Sequence, residues 1–478
     1  MTNKLIDEIR NNLDNGNVTS EMLFDEVTSK AKKYQDEYNS FVTIMDKKEE
    51  MEGDSILRGI PYALKDNIST KGILTTASSN ILKDYIPLYD ATIYKKLKES
   101  GAVLMGKTVL DELAMGGTGT TGHTGIVRNP WNKERMIGGS SAGSAASVAL
   151  GIVPFAIGSD TGDSIRKPAA YGGVVGYKPT YGRISRYGLF AFASSLDHLG
   201  VFARSVKDVS YVMDIVKGHD EKDMTSLPDE DISYVDNIDN DIKGKKLFYI
   251  KEVMDITSDN DDLKNIMDNF KEVISKCKSL GLEVEEVTFG KELLEAIYPV
   301  YNVISCAEAT SNNSNLTGIP FGSRVEADNV YDIMVKTRTE GFSELIKRRF
   351  VIGSYVLQKE NQEKLFLNAS RVRRLIVDRM NELFKTYDGL IMPTSGDIAP
   401  LFDKASDKLS DEYLILGNHL VIGNFGGFPS ISIPSGFVNN MPVSINITGR
   451  AREDYLVLNM ANKIEEVLGC KGMVAKDE

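Results

Sequence analysis

Residues 138–168 read GGSSAGSAASVALGIVPFAIGSDTGDSIRKP, two clusters of serines set in glycine and alanine and separated by an apolar run from Val148 to Ile157. Glycine lets backbone amides approach a ligand closely, and a hydroxyl beside such a turn can act as nucleophile or proton relay. Within the stretch, Ser144 to Leu150 reads as a helix and Val153 to Ile157 as a strand. The same order occurs upstream, where the helix Asp90 to Ser100, closed by Gly101, leads into the strand Ala102 to Met105. Such alternation predicts an α/β fold with a mostly parallel sheet covered on both faces.

Outward from this centre, residues 3–45 read as two helices, with Asn17-Val18-Thr19-Ser20 as turn and N-cap between them. Ile60 to Leu64 is a short apolar strand that breaks at Lys65-Asp66-Asn67, and strand ends often carry function. Residues 228–246, PDEDISYVDNIDNDIKGKK, read as a solvated acidic loop. Beyond it come the strand Leu247 to Ile250, the helix Asp261 to Leu280, the strand Leu282 to Val287, a long charged helix over 360–385 and the strand Gly389 to Met392. Strands Ser430 to Pro434 and Pro442 to Thr448 and a helix from Asp454 follow. Residues 1–56 form a helical segment distinct from a main domain over 57–478.

The chain has 478 residues, 42% hydrophobic and 26% charged, with 56 basic and 68 acidic side chains. A net charge of −12 argues against a main role in gripping nucleic-acid phosphates. The three cysteines, Cys277, Cys306 and Cys470, and the four histidines, His123, His198, His219 and His419, show no metal-ligand spacing, so no metal is expected. The first residues lack the apolar core of a secretory signal, and no run approaches the ~18 apolar residues of a membrane span. A cytoplasmic protein is expected.

Two motif matches fail on context. Residues 101–108, GAVLMGKT, fit the phosphate-cradling pattern G-x-x-x-x-G-K-[ST], but a helix precedes them where a strand is required, and Lys107 falls at a strand end instead. Residues 139–143, GSSAG, fit the hydrolase elbow G-x-S-x-G, but the polar loop before them supplies no strand. A serine-histidine pairing would draw on His198, His219 or His419, each in a stretch that reads as surface. Without histidine the base can be a lysine whose pKa burial depresses, and Lys65, directly after Ala63-Leu64, is the candidate.

The blocks GIPYALKDN, GGSSAGSAA, GSDTGDSIRKPAA and VGYKPTYGRISRYGLFAFASSLD together resemble the amidase signature family. With YDATIYKKLKESGAVLMGKT and RNPW upstream, they are most similar to its tRNA-dependent amidotransferase branch. The similarity runs from about Leu57 to the C-terminal helix, with the signature region at about 60–205. It implies an α/β/α sandwich around a large central mixed sheet and a Ser-cis-Ser-Lys triad, with Ser164 as nucleophile, Ser140 as relay and Lys65 as base. Backbone groups of Thr161, Gly162 and Asp163 would hold the oxyanion. Taken singly, Ser140 and Ser164 also suit the caps of the helices that follow them.

The same branch implies L-glutamine as ammonia donor, with Arg349 binding its carboxylate and Tyr301 nearby. It also implies partner B and C subunits, tRNA held mainly by the partner, and ATP and Mg²⁺ used there, with no cofactor in this chain. A free-standing amidase of small amides and a non-catalytic scaffold are the alternatives. The family usually has glycine where Asp163 and Ala142 stand. The acid that contacts the substrate amino group in this branch has no match around GNHLVIGNFGGFP, where Asp411 and Glu412 are the nearest.

Overall fold

Alternation along the central strands decides which side chains face which layer. The computed structural model describes residues 1–256, 260–403, 410 and 412–475. Among these, β1 (Phe41–Ile44), β2 (Pro61–Lys65), β3 (Val103–Thr108), β4 (Phe155–Asp160), β5 (Val175–Lys178), β6 (His198–Ala203), β7 (Lys246–Ile250), β8 (Glu283–Val287), β9 (Gly389–Pro393), β10 (Ser430–Val438) and β11 (Met441–Gly449) form one sheet. Their order is β1-β3-β2-β4-β6-β5-β10-β11-β9-β7-β8. Tyr62 and Leu64 of β2, Leu104 of β3, and Phe155 and Ile157 of β4 share one buried cluster. Their neighbours Ala63, Val103, Met105 and Ala156 point the other way into a second cluster. That is the two-residue period of a strand buried on both faces.

Helices fill both layers. On one face lies α4 (Ala142–Ala149), whose Ala142, Ala145, Ala146 and Val148 join Ala63 and Ala156. Alanine favours the helix and keeps the contact layer thin, and Gly151, at φ +63°, turns the chain out of it. On the other face, α6 (Val206–Val216) packs with the closing helix Asp454–Leu468 through Val209, Val212, Val457 and Ile464. The result is an α/β/α sandwich.

The sheet is mixed rather than mostly parallel. Only β2 with β3 and β4, and β7 with β8 and β9, run parallel; the other pairings are antiparallel. Hairpin-like returns such as β10 to β11, joined through Asn439 and Asn440 at positive φ, account for the difference. The N-terminal reading also changes at its end. Helices α1 (Ile6–Asp14) and α2 (Ser20–Tyr38) are present, but β1 follows and pairs antiparallel with β3 at the sheet edge. Ile6, Ile9 and Leu23 belong to the same buried cluster as β2 and β4, so this segment is built into the main core.

Candidate functional site

Lys65 ends β2 with its side chain fully buried. Its Nζ lies 2.8 Å from Ser140 Oγ, 2.9 Å from Ser141 Oγ, 2.9 Å from Ser159 Oγ and 3.3 Å from the Ser159 carbonyl oxygen. Burial pushes the ammonium pKa down to about 7, against the opposing pull of Asp111, Asp160 and Asp197. The surrounding hydroxyls also set direction. Ser141 donates its own proton to the Ser159 carbonyl at 3.0 Å, so its oxygen accepts from Lys65. Ser159 Oγ accepts from the Asn67 amide at 3.1 Å. A neutral amine has two N–H donors and one lone pair. With the donors spent on Ser141 and Ser159, the lone pair is left to receive the Ser140 hydroxyl.

Ser140 follows a cis peptide bond from Gly139. Beneath it the buried Asp111 carboxylate accepts the backbone N–H groups of Thr118, Gly119, Thr120 and Thr121, the last two at 3.0 and 3.1 Å. Only glycine fits at 139, because a Cβ there would lie 2.0 Å from Asp111 Oδ2.

Ser164 stands on the turn between β4 and α5 (Arg166–Gly172). Its carbonyl accepts from Ser141 N at 3.2 Å, which ties the two serine clusters together. Among the described residues its hydroxyl makes no hydrogen bond, and neither do the backbone N–H groups of Gly162, Asp163 and Ser164. The N-cap of α5 is Ile165 and that of α4 is Ser141, neither with a side-chain cap bond, so Ser140 and Ser164 do not serve as caps. The turn is fixed from behind. Arg166 forks onto Asp160 at 3.0 and 3.1 Å and holds the Gly162 carbonyl at 2.7 Å, while Thr161 donates to Asp197 at 2.6 Å. Unpaired donors beside a free hydroxyl can receive a developing oxyanion.

Asp163 and Ala142 do not adopt positive φ, so the side chains there carry no left-handed strain. Tyr301, on the helix Ile297–Asn312, lies over the turn: a Cβ on Gly162 would come 3.1 Å from its ring. Arg349, on the helix Glu344–Leu357, acts electrostatically on that phenol and sits 5.6 Å from the centroid of Phe192. Among the described residues Arg349 has no ion-pair partner, and its buried Nε has no hydrogen-bond partner. Asp411 lies outside the described residues, as does the side chain of Glu412.

His198 and His419 are buried, contrary to the surface reading, because β6 and the segment His419–Val421 lie inside the fold. Burial pushes both pKa values down, that of His419 to about 4, and no histidine bonds to Ser140 or Ser164. Lys107 is buried beside Asp66 at 3.5 Å, remote from any phosphate-loop role. No group of three His, Cys, Asp or Glu side chains among the described residues could hold a metal ion. No described helix is long and apolar enough to cross a membrane. Sequence reasoning missed Ser141, Ser159, Asn67, Asp111 and Asp197. Ser141 was visible beside Ser140, whereas Asp111 and Asp197 reach the site only through tertiary structure.

The chain matches the Amidase family over residues 1–458. It belongs to the amidase family. That match begins at residue 1 and so includes α1 and α2. The chain is 38% identical over 475 residues to the A subunit of glutamyl-tRNA(Gln) amidotransferase from Sulfolobus acidocaldarius, covering 97% of this chain and 98% of that one. It is 44% identical over 413 residues to the same-named protein of Carboxydothermus hydrogenoformans, covering 86% and 83%. The crystal structure of the glutamyl-tRNA(Gln) amidotransferase A subunit from Thermotoga maritima superposes with a TM-score of 0.80 at 35% identity, covering 98% of this amidase and 95% of that chain.

Proposed function

We propose that this enzyme is the glutaminase subunit of a cytoplasmic glutamyl-tRNA(Gln) amidotransferase. The observation that carries the proposal is a fully buried Lys65 with a depressed pKa, 2.8 Å from Ser140, beside the free hydroxyl of Ser164. Neutral Lys65 takes the Ser140 proton, Ser140 takes that of Ser164, and Ser164 Oγ attacks the side-chain amide carbon of glutamine. The unpaired N–H groups of Gly162, Asp163 and Ser164, with Thr161 anchored behind them, hold the tetrahedral oxyanion. The proton returns through Ser140 to the departing nitrogen, ammonia leaves, and water hydrolyses the γ-glutamyl ester to glutamate. Arg349, a half-buried cation without an ion-pair partner among the described residues, takes the α-carboxylate as a planar fork, with Tyr301 closing the pocket over Gly162. B and C subunits receive the ammonia, hold the tRNA, and use ATP and Mg²⁺ on Glu-tRNA(Gln).

Ammonia release from glutamine, measured for the chain alone and with partner subunits, Glu-tRNA(Gln) and ATP, tests this reading. Release that rises with the partners and disappears in Ser164→Ala is expected. Release indifferent to the partners would make the chain a free-standing amidase, and none under any condition would make it a scaffold.

A further inference from the structure

Asp163 introduces a carboxylate one residue before the proposed nucleophile, and the structure gives that carboxylate a definite place. Its Oδ2 pairs with Lys167 Nζ at 2.6 Å, and the same Nζ donates to the Gly417 carbonyl at 2.8 Å. The side chain is fixed between the nucleophile turn and the segment that leads into His419–Val421. Lys167 takes only one of its two oxygens. Oδ1 makes no hydrogen bond among the described residues, and the side chain keeps 21% of its surface exposed. A carboxylate has about four acceptor positions, so the ion pair leaves room for a second cation.

Its surroundings identify that cation. Asp163 and Arg349 both act electrostatically on the Tyr301 and Tyr413 phenols, so a guanidinium without a carboxylate partner and a half-paired carboxylate border the same two rings. The other buried acid of this turn, Asp160, is fully engaged by Arg166 and Asn424. A ligand meeting both an available cation and a free carboxylate edge carries the complementary charges close together. An α-amino acid does so on one carbon.

We propose that Asp163 is a specificity-determining residue whose free carboxylate oxygen receives the α-ammonium of the amide substrate while Arg349 receives its α-carboxylate. This rests on the glutaminase reading and names how that site separates an amino-acid amide from a simple carboxylic amide. Lys167 holds the carboxylate in position, and loss of the Asp163 charge removes one of two charged contacts to the substrate.

The test compares L-glutamine with glutaramate, which keeps the amide and the carboxylate but lacks the amino group, in the complete complex. Asp163→Asn is expected to raise KM for glutamine roughly 10- to 100-fold and to leave KM for glutaramate unchanged. An equal change for both amides, or none for glutamine, overturns the proposal and places Asp163 in support of the Ser164 turn alone. Calorimetric binding of L-glutamate and glutarate to Ser164→Ala and to Ser164→Ala/Asp163→Asn reads the same preference without turnover. A wild-type chain that hydrolyses neither amide would therefore sink the glutaminase reading while binding still decides the role of Asp163. Loss of the glutamate-over-glutarate preference on Asp163→Asn supports it, and an unaltered preference overturns it.

Discussion

At pH 6 most Lys65 side chains carry a proton that their burial disfavours, and by pH 8 most do not. The neutral amine is the form that accepts from Ser140, so activity follows the deprotonated fraction. We expect kcat/KM for glutamine to climb about tenfold per pH unit below pH 7 and to level off above it. Lys65→Ala should lower kcat by about 10²- to 10⁴-fold and abolish that ascending limb. An ascending limb that persists in Lys65→Ala would assign the titration to another group. This residue was legible in the sequence because a lysine directly after an apolar strand has few ways to remain solvated. Its depressed pKa was expected from burial alone. The three hydroxyls that orient its lone pair were not, since Ser159 approaches Lys65 across neighbouring strands β2 and β4.

The turn between β4 and α5 is an element whose shape depends on one buried ion pair. Burial alone would raise the Asp160 carboxyl, but the Arg166 charge and its hydrogen bonds outweigh this and hold it well below the usual carboxylate range. The pair is sealed by Asn424, the Leu420 carbonyl and Ser430. Removing one partner leaves an uncompensated buried charge, which costs about 3–5 kcal/mol. Asp160→Asn should therefore lower the urea midpoint by a corresponding amount and cost activity as well, because Arg166 also holds the Gly162 carbonyl. Unchanged stability would show that Leu420, Asn424 and Gly162 satisfy Arg166 without the carboxylate. The helix and strand of this region were readable from residues 138–168, since alanine-rich and β-branched runs differ in local preference. The direction of the strands was not. Alternation of helix and strand suggests parallel neighbours, but β6 returns beside β4 and β5, and β10 and β11 return beside β5 and β9, so the sheet is mixed. Such pairings over long sequence separations leave no local periodic signal.

Across the whole molecule, the N-terminal helix, the start of α6 and the closing helix meet at a buried polar joint. Arg204 donates to the Thr2 and Lys4 carbonyls, Asp208 accepts Ile6 N, and Glu465 accepts Val206 N. This joint explains why residues 1–56 are inseparable from the core, which amphipathic patterning in α1 and α2 could not reveal. Burial raises the Glu465 carboxyl to about 8, although the Val206 N–H and Lys471 pull the other way; burial likewise raises Asp208 to about 7 against Arg204. Between the ordinary glutamate value of 4.5 and about 8 the folded chain holds a proton on Glu465 that the unfolded chain has released. Folding stability therefore falls as pH rises through that window and is highest below it. We expect the urea midpoint to decline from pH 5 to pH 9, with a change in unfolding free energy of a few kcal/mol, and Glu465→Gln to flatten the decline. Glutamine keeps one acceptor for Val206 N and cannot ionise, so the variant separates the charge from the hydrogen bond. The slope that remains should match the contribution of Asp208, and a slope identical to wild type would show that Glu465 titrates at its ordinary value in the fold.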